Sequence, residues 1–484
     1  MTSAMSDLLR VKEAARAGIL VSAGARRVEF ILPPEHSEDL LRQLQNSQAI
    51  LASYQPDAPN IDRSLMSYDR MPVSDAQKRH LTAFRSGKRL DPYVTFHSSA
   101  MMAPLVTSAA ARAALDLEAR HGAFQYDIEE RDGAFWHVRR TLPGVTIRTF
   151  DLSQTLPDHQ PQALRDALSW LTAEASTFGR EAHCRAAMVA LSPNVLLFVV
   201  SIEHIFSDLF SVRIVLNDLM ILYQRYLGYS VSLTAPADYL EHLRRVLEID
   251  IGHLKFWSLY LAGAAQPQFP TRSEGPISHE TQKNRFWVGQ QSYATMKNIG
   301  AEAKCTMFAV VLAKLFILIR TMTGQSDITL GFLSANRDPN NLSLVGLVAD
   351  TIFVRAQGGT KLDTEYVSYV WASLRAALRH AQTPRTMVTE MTGVGIPVVV
   401  VNFLSAGLPE DGKAPNQAAS LNQAVSGLHH TVLEVFRENG KAMPQNLYLE
   451  LIDVGCDLHI EVHYKPHYFG EEEYAEIHRA FSEA

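Results

Sequence analysis

Two long apolar runs separated by a short turn limit the folds open to this chain more than any other feature of its sequence. Residues 186–191 and 195–202 are almost entirely apolar, and Ser192-Pro193-Asn194 lies between them. Serine, proline and asparagine favour turns, and apolar runs of this length are typical of buried strands. The pattern therefore predicts a buried pair of strands around which the rest of the chain is arranged.

Helices and strands alternate along much of the remaining chain. Apolar patterns predict helices at 109–120, 162–177, 210–226, 307–323 and 364–380, strands at 135–139, 327–332 and 398–404, and a strand pair within 448–464. The segment 407–445 is polar, with proline, glycine and asparagine spread through it, and is interpreted as a long loop or crossover. This alternation predicts an α/β (α+β) fold.

Composition restricts the class of protein. Hydrophobic residues make up 47% and charged residues 20% of the 484 positions, which is typical of a globular protein. A chain of this length is expected to form two or more packed units. The net charge of −6 disfavours a nucleic-acid partner, which would need a basic surface. The three cysteines lie far apart, so neither a disulfide framework nor a Cys-x-x-Cys metal pair is expected.

The sequence also favours a soluble protein of the reducing cytoplasm. Arg10, Lys12 and Glu13 stand where a signal peptide would have its apolar core, and no apolar run approaches the length of a membrane span. Neither Gly-x-x-x-x-Gly-Lys nor Gly-x-Gly-x-x-Gly occurs, so a nucleotide site of either type is not expected. We therefore expect no membrane and no nucleic-acid partner.

The first 55 residues are predicted to form a small unit of their own. Residues 5–17 suit a helix that ends at Gly18, residues 19–21 and 27–32 have the pattern of a β-hairpin, and residues 38–51 carry leucines at helical spacing. Residues 56–70 are interpreted as a linker to the main domain. A unit of this size can bury little apolar surface by itself.

A histidine and an aspartate follow the second apolar run. His204 and Asp208 are four residues apart in a loop that would leave a buried strand. Imidazole accepts a proton near neutral pH, so His204 is a candidate base. About one such spacing is expected by chance in a chain with 18 histidines. The alternative is a histidine at the edge of the core and an aspartate that caps a helix.

The order of several motifs resembles the condensation domains of nonribosomal peptide synthetases. Glu203-His204-Ile-Phe-Ser-Asp208-Leu209 lies where that family has His-His-x-x-x-Asp-Gly. Similar segments, in chain order, are Ser74-Asp-Ala76-Gln77-Lys-Arg79, Arg120-His121-Gly-Ala-Phe124, Asp238-Tyr239, Phe256-Trp257, Thr323-Gly324-Gln-Ser-Asp327, Asn336-Arg337, Val345-Gly346-Leu-Val-Ala-Asp-Thr351 and His380-Ala-Gln-Thr-Pro384. The resemblance runs from residue 71 to the C-terminus, which is the whole of one such domain.

The resemblance implies a two-lobed pseudo-dimer of chloramphenicol acetyltransferase-like lobes around a central tunnel, with lobes at 71–235 and 236–484. His204 would be the catalytic histidine that helps to remove a proton from an acceptor hydroxyl or amine. Asp208 would pair with an arginine to fix the active-site loop, and Arg337 and Arg185 are the candidates. No bound cofactor and no metal would be needed, because the acyl group arrives as a thioester on the phosphopantetheine of a partner carrier protein.

The first 55 residues resemble the N-terminal β-hairpin docking domains of such synthetases. Those modules bind a short linear motif at the tail of a carrier-protein subunit, and the motif would add a strand to the hairpin edge. Arg26 and Arg27 would be available to acidic residues of the motif, with Val28 and Phe30 on the same docking strand. The alternative is an N-terminal cap packed on the main domain. The linker after the unit favours independent movement and therefore docking.

Two departures from the family pattern bear on activity. Glu203 replaces a histidine and could raise the pKa of His204 or face another way, whereas Leu209 replaces a glycine and could narrow the tunnel. We expect an acyltransferase that releases a polyketide or peptidyl chain onto the hydroxyl or amine of a small acceptor. The alternatives are a catalytically degenerate domain that recruits a carrier protein or partner enzyme, and a coenzyme A-dependent acyltransferase.

A metal site is the last alternative. His459, Glu461 and His463 alternate along a predicted strand, so their side chains would share one face and offer three ligands. A solvated strand face is the simpler interpretation of this triplet. The sequence therefore predicts no metal.

Overall fold

The computed structural model describes residues 70–85, 94–173, 182–248, 250–272, 281–405 and 444–483. It also describes residues 11, 14, 19–23, 28–34 and 38–46 near the N-terminus, and residues 428, 431, 432, 435 and 436. Over this part of the chain the fold is mixed α/β, as the alternating pattern predicts, and the strands form four sheets.

The strands of the described residues are β1 Leu20–Ala23, β2 Val28–Ile31, β3 Arg70–Pro72, β4 Val94–Met102, β5 Tyr126–Arg131, β6 Ala134–Arg139, β7 Val145–Asp151, β8 Cys184–Ser192, β9 Val195–Glu203, β10 Gln282–Trp287, β11 Asp327–Ser334, β12 Asp350–Gln357, β13 Val399–Ser405, β14 Leu447–Asp453 and β15 Leu458–Tyr464. Their helices are α1 Glu38–Asn46, α2 Asp75–Arg85, α3 Thr107–Arg120, α4 Gln160–Leu168, α5 Trp170–Ala173, α6 Leu209–Tyr226, α7 Tyr239–Leu247, α8 Ile251–Tyr260, α9 Gln290–Glu302, α10 Met307–Thr323, α11 Thr364–Arg379, α12 Arg385–Thr392 and α13 Glu471–Ser482.

The predicted strand pair is the centre of the N-terminal half. β8 and β9 run antiparallel on either side of the predicted turn, and the sheet has the order β4-β9-β8-β7. Nearly every side chain of β8 and β9 is buried, because α3 and α6 cover one face of the sheet and α4 covers the other. Two-sided burial explains why these strands have continuous rather than alternating apolar sequences.

The C-terminal half is built on a six-stranded sheet with the order β10-β15-β14-β13-β11-β12. β13 runs parallel to β11 and β14, and the other neighbours are antiparallel. The helix α10 lies in the core beside this sheet and is apolar except on the side that carries Lys314 and Thr321, as expected of a helix that is covered over most of its surface. Thr306 caps its first turn, and Gly324 ends it with a positive φ of 69°.

Segments of the C-terminal half pack on both faces of the N-terminal sheet. Leu344, Val345 and Val348, between β11 and β12, are buried in the core on the α3/α6 face. On the opposite face Val432 and Phe436 are buried, and the Phe436 ring stacks on Phe96 of β4 with centroids 4.0 Å apart. The two halves are therefore joined by segments of the C-terminal half that pack on both faces of the N-terminal sheet, in addition to the chain connection.

One predicted helix differs from the structure, and one predicted loop or crossover is described only in part. The helix predicted at 162–177 is divided at Ser169 into α4 and α5, and residues 174–177 lie outside the described residues. Most of the loop or crossover predicted at 407–445 also lies outside them. The five described positions between 428 and 436 are helical, and their burial on the N-terminal sheet agrees with a crossover rather than a solvent-exposed loop.

The predicted N-terminal hairpin is present as β1 and β2, with Leu20 opposite Ile31. It is not separate from the main domain: Val21 and Val28 pack with Leu259 and Ala262 at the end of α8, and Leu20 and Ile31 join the core of the C-terminal half. The expectation of independent movement is therefore wrong for the hairpin, because its apolar residues need this surface for burial. Arg26, Arg27 and the linker 56–69 lie outside the described residues.

None of the described helices is both long enough and apolar enough to cross a membrane alone. By length and composition only, α9 and α10 pass the test together, with a bend of 108° between them.

Candidate active site

The loop that carries His204 is a tight connection between β9 and α6. The strand ends at Glu203, a 3-10 turn covers His204–Phe206, and Asp208 caps α6 by accepting a hydrogen bond from Ser211 N at 2.8 Å. Ser207 braces the loop, because its Oγ donates to Glu203 O at 3.1 Å and lies 2.5 Å from Thr95 Oγ1 of β4. The loop is thus fixed to the central sheet.

One hydrogen bond fixes the tautomer of His204. Its Nδ1 lies 2.8 Å from the carbonyl oxygen of Ser207. A carbonyl oxygen only accepts, so Nδ1 carries the proton and Nε2 carries the lone pair of the neutral imidazole. The side chain is half-exposed. This arrangement gives His204 a basic nitrogen that a bound molecule can reach.

Asp208 is paired with Arg337 and not with Arg185. Both carboxylate oxygens of Asp208 lie 2.9 Å from the same guanidinium nitrogen of Arg337, and the backbone N–H groups of Val348 and Ala349 donate to the carboxylate at 3.2 and 3.0 Å. The carboxylate is buried and its oxygens are occupied. Asp208 therefore ties the His204 loop to the segment that follows β11 and is not free to accept a proton from His204.

Arg337 organises that segment in turn. Its second terminal nitrogen donates to Asn341 O at 2.9 Å and to Leu344 O at 2.6 Å. These bonds position the stretch whose apolar side chains Leu344 and Val345 enter the N-terminal core. The guanidinium is nearly fully buried, so its charge depends on Asp208 for compensation.

Glu203 faces away from His204. Its buried carboxylate lies 3.5 Å from His183 Nδ1 and 3.9 Å from Arg185. His183 also lies 2.9 Å from Asp127, which pairs with Arg140. Burial disfavours the protonated form of His183, but the carboxylates of Asp127 and Glu203 outweigh burial and raise its pKa. Glu203 therefore belongs to a charge cluster behind the loop.

Leu209, the other departure from the family pattern, begins α6. Its side chain is half-buried and packs against the core of the N-terminal half. Part of the isobutyl group is thus used for core packing.

A cavity of about 570 Å³ lies in the C-terminal half next to Arg337. Its walls come from the ends of β11 and β13, the start of α10 and the end of α11. The lining residues are Phe308, Phe332, Leu333, Ser334, Ala335, Asn336, Arg337, Asp338, Leu378, Arg379, Ala381, Gln382 and Phe403. Three phenylalanines form an apolar part and polar side chains another, a combination typical of small-molecule sites.

The triplet on β15 is not a solvated strand face. Glu461 and His463 are buried and lie 2.8 Å apart, and Lys283 of the neighbouring β10 pairs with Glu461 at 2.5 Å. His459 instead contacts the Trp287 ring. Within the ranges that the structure describes, no group of three or more His, Cys, Asp or Glu side chains is arranged to hold a metal ion.

Gln77 and His80 are site residues whose roles sequence reasoning did not identify. Gln77 Nε2 donates to Ile205 O in the His204 loop at 3.0 Å, and the His80 ring lies next to the His204 ring. The Ser-x-Ala-Gln-x-Arg resemblance marked this helix as noteworthy. Nothing in the sequence indicated that the helix would contact a loop more than 120 positions away.

Comparison with known proteins decides the family. The family model described as the condensation domain matches residues 67–484. This chain belongs to the condensation-domain family. Condensation domains are acyltransferases that form amide or ester bonds, so the expectation of an acyltransferase is confirmed at the level of the family.

Curated relatives of this condensation domain are much longer synthetases. Tyrocidine synthase 2 of Brevibacillus parabrevis is 25% identical over 338 residues, which are 65% of this chain and 9% of that protein. The beauvericin nonribosomal cyclodepsipeptide synthetase of Gibberella fujikuroi is 26% identical over 301 residues, or 57% and 9% of the two chains. This chain thus matches about a tenth of the length of these relatives.

Solved structures agree in fold. A structure described as the molecular basis for condensation domain-mediated chain release from the enacyloxin polyketide synthase has a TM-score of 0.67 and 16% identity, covering 99% of this chain and 94% of its own. SgcC5 from Streptomyces globisporus has a TM-score of 0.64 and 18% identity, covering 85% and 97%. The roles of individual residues in this condensation domain remain predictions.

Proposed function

We propose that this condensation domain transfers a polyketide or peptidyl chain from the phosphopantetheine thioester of a carrier protein to the hydroxyl or amine of a small acceptor, and so releases the chain. The observation that carries the proposal is the His204 tautomer. With Nδ1 donating to Ser207 O, the lone pair of Nε2 is available to the acceptor. A thioester is already activated, so orientation and one base can supply much of the rate.

The proposed reaction balances without a further reactant. The acceptor oxygen or nitrogen attacks the thioester carbonyl carbon, and its proton passes to Nε2 of His204. The tetrahedral intermediate then collapses, the carbon–sulfur bond breaks, and the sulfur leaves with the proton returned by His204. The products are an ester or amide and the free thiol of the carrier protein.

Asp208 and Arg337 have a positioning role in this proposal. The Asp208 carboxylate receives hydrogen bonds from Arg337, Ser211 and two backbone N–H groups, so it holds the loop rather than the substrate. Arg337 also forms part of the cavity wall.

We propose that the N-terminal hairpin docks the carrier-protein tail. In the described residues β1 and β2 form a two-stranded sheet, which an added strand would extend. Phe30 is half-buried and Val28 is buried, so Phe30 is the more exposed of these two side chains. The likeness to the enacyloxin chain-release structure covers 99% of this chain and thus extends into this unit, which supports the proposal.

The test is an intact-mass assay of a carrier protein loaded with a surrogate acyl group, incubated with candidate alcohols and amines. Wild-type protein is expected to unload the carrier only with an acceptor, and His204→Ala is expected to lose about two to four powers of ten in rate. His159→Ala, which replaces an exposed histidine, is the matched control for effects of substitution and purification that do not involve the site.

Other outcomes assign the alternatives. Carrier binding without unloading would favour a recruitment domain, and faster reaction of acyl-coenzyme A than of the acyl carrier would favour a coenzyme A-dependent enzyme. Unloading that His204→Ala leaves unchanged would remove His204 from the chemistry.

A further inference from the structure

A second histidine faces His204 across the loop. His80 lies on α2, and the centroids of the two imidazole rings are 5.0 Å apart with the ring planes tilted by 57°. At this separation and tilt the two rings border the same space. Both side chains are half-buried, so neither ring is sealed within the core.

The position of His80 is set by a buried polar anchor. Gln77, one turn earlier on α2, donates to Ile205 O at 3.0 Å, and its Oε1 accepts from His137 Nε2 at 3.0 Å. Residues three apart on a helix share a face, so His80 is held toward the same loop. Its place beside His204 is therefore fixed by contacts that a freely moving surface side chain would lack.

The same helix lies at the junction of the two halves of the molecule. Arg79 pairs with Asp350 of β12 at 2.7 Å, and Asp75 accepts from the backbone N–H of Thr386 in α12 at 3.3 Å. His80 is thus close to both halves, where a molecule held between them would pass. Because of these contacts, helix α2 is expected to move together with β12 and α12 of the C-terminal half.

Burial and the charges around His80 keep it neutral. Its pKa is lowered to about 3, chiefly by burial and also by the nearby His204, Arg79 and Arg385. Asp75 and Asp350, the carboxylates near those arginines, do not reverse the effect. At neutral pH the ring therefore offers one N–H donor and one lone pair.

His80 has hydrogen-bonding capacity that the described part of the chain does not use. No described residue donates to or accepts from its ring nitrogens. The carboxylates nearest to His204 in sequence are also engaged elsewhere, Glu203 with His183 and Asp208 with Arg337. A nucleophile bound at His204 would thus lie beside the His80 imidazole.

We propose that His80 binds the nucleophilic group of the acceptor and holds it against Nε2 of His204. For an alcohol, the His80 N–H donates to the acceptor oxygen while the hydroxyl donates to His204; for an amine, the His80 lone pair accepts a second N–H. His80 takes no proton from the acceptor. The proposal rests on the proposed function, and it assigns orientation of the nucleophile to a pair of imidazoles.

The test varies acceptor concentration in the carrier-unloading assay at a fixed, saturating acyl carrier. His80→Ala is expected to raise the acceptor KM and lower kcat/KM by about tenfold to a hundredfold. His80→Gln, which retains a donor and an acceptor, is expected to recover most of the loss, and His80→Leu is not. Carrier binding and Tm are expected to match those of His159→Ala.

The outcomes separate this proposal from the proposed function. If wild type unloads, His204→Ala does not, and His80→Ala stays within twofold of wild type with an unchanged acceptor KM, the role of His80 is overturned and the function stands. If wild-type protein does not unload the carrier with any of the acceptors tested, both the proposed function and the role of His80 are overturned. If His80→Ala does not fold, equal acceptor KM values for the Leu and Gln variants would overturn the proposal, and a raised value in Leu alone would support it.

Discussion

At the scale of single residues, Asp208 joins two parts of the chain that are far apart in sequence. Its carboxylate caps α6 through Ser211 and pairs with Arg337, which lies 129 positions later. The cap alone is a local feature that many helices share. The buried ion pair is what distinguishes this aspartate from the other N-cap aspartates.

Asp208→Asn is expected to destabilise the protein by about 3–5 kcal/mol, because it leaves the buried Arg337 charge without a counterion. Asparagine caps helices as well as aspartate does, so the loss measures the ion pair. Asp363→Asn is the matched control, since Asp363 caps α11 through Tyr366 N and is expected to cost less than about 0.5 kcal/mol. Denaturant unfolding of both variants measures the difference, and equal losses would contradict the explanation.

His183 is expected to make stability depend on pH in a direction opposite to that of His121, His137 and His242, whose pKa values are lowered. Its pKa is raised, so its contribution is complete below about 6.5, the unfolded value, and is lost as the pH rises through the folded pKa. The facing charged groups are Asp127, Glu203 and Arg140.

The measurement is the difference in unfolding free energy between wild type and His183→Gln from pH 5.5 to 9. This difference is expected to shrink as the pH rises. Histidines whose lowered pKa values do not involve His183, such as His242, act in the opposite direction, but they are common to both proteins and cancel. A difference that grows with pH would show that the carboxylates do not dominate at His183.

At the scale of helices and strands, continuous apolar patterns were the most informative part of the sequence. β8, β9 and α10 were predicted nearly to their ends, because burial of most of their side chains leaves a long apolar run. The division of the helix at Ser169 and the helical positions near Phe436 were not predicted. In the second case the local composition is polar, and only contacts with a distant sheet reveal the structure.

Phe436→Ala is expected to weaken the packing of Phe436 on the N-terminal sheet. It is expected to lower the free energy of unfolding by about 3–5 kcal/mol, since the ring is buried and stacks on Phe96. Phe436→Leu keeps most of the apolar volume and is expected to cost less. Denaturant unfolding gives the energies, and amide hydrogen exchange is expected to quicken in β4 of the Ala variant. Equal stability of Phe436→Ala and wild type would show that the stacking contributes nothing.

The candidate site could be predicted only where its residues lie close together in the sequence. His204 and Asp208 were identified because both lie in one short segment after a recognisable strand. The choice of Arg337 over Arg185, and the presence of His80, depend on how distant segments meet. The orientation of Glu203 toward His183 depends on a charge cluster assembled from β5, β9 and the residues next to β6 and β8.

At the scale of the whole molecule, the family of the chain and its mixed fold follow from the order of the motifs, whereas the relation of the halves does not. Arg79 with Asp350 and Asp208 with Arg337 both link the N-terminal to the C-terminal half. The site therefore depends on both halves and on the junction between them.

The packing of C-terminal segments on both faces of the N-terminal sheet also limits where such domains can be divided and recombined. Residues 344–348 fill one face of the N-terminal sheet, and Val432 and Phe436 cover the other. A chimera joined at residue 235 would place an unrelated N-terminal sheet against residues 344–348, Val432 and Phe436, whose side chains pack on the present sheet. Successful exchanges of this domain are thus expected to carry both halves together, and with them the N-terminal hairpin that packs on the C-terminal half.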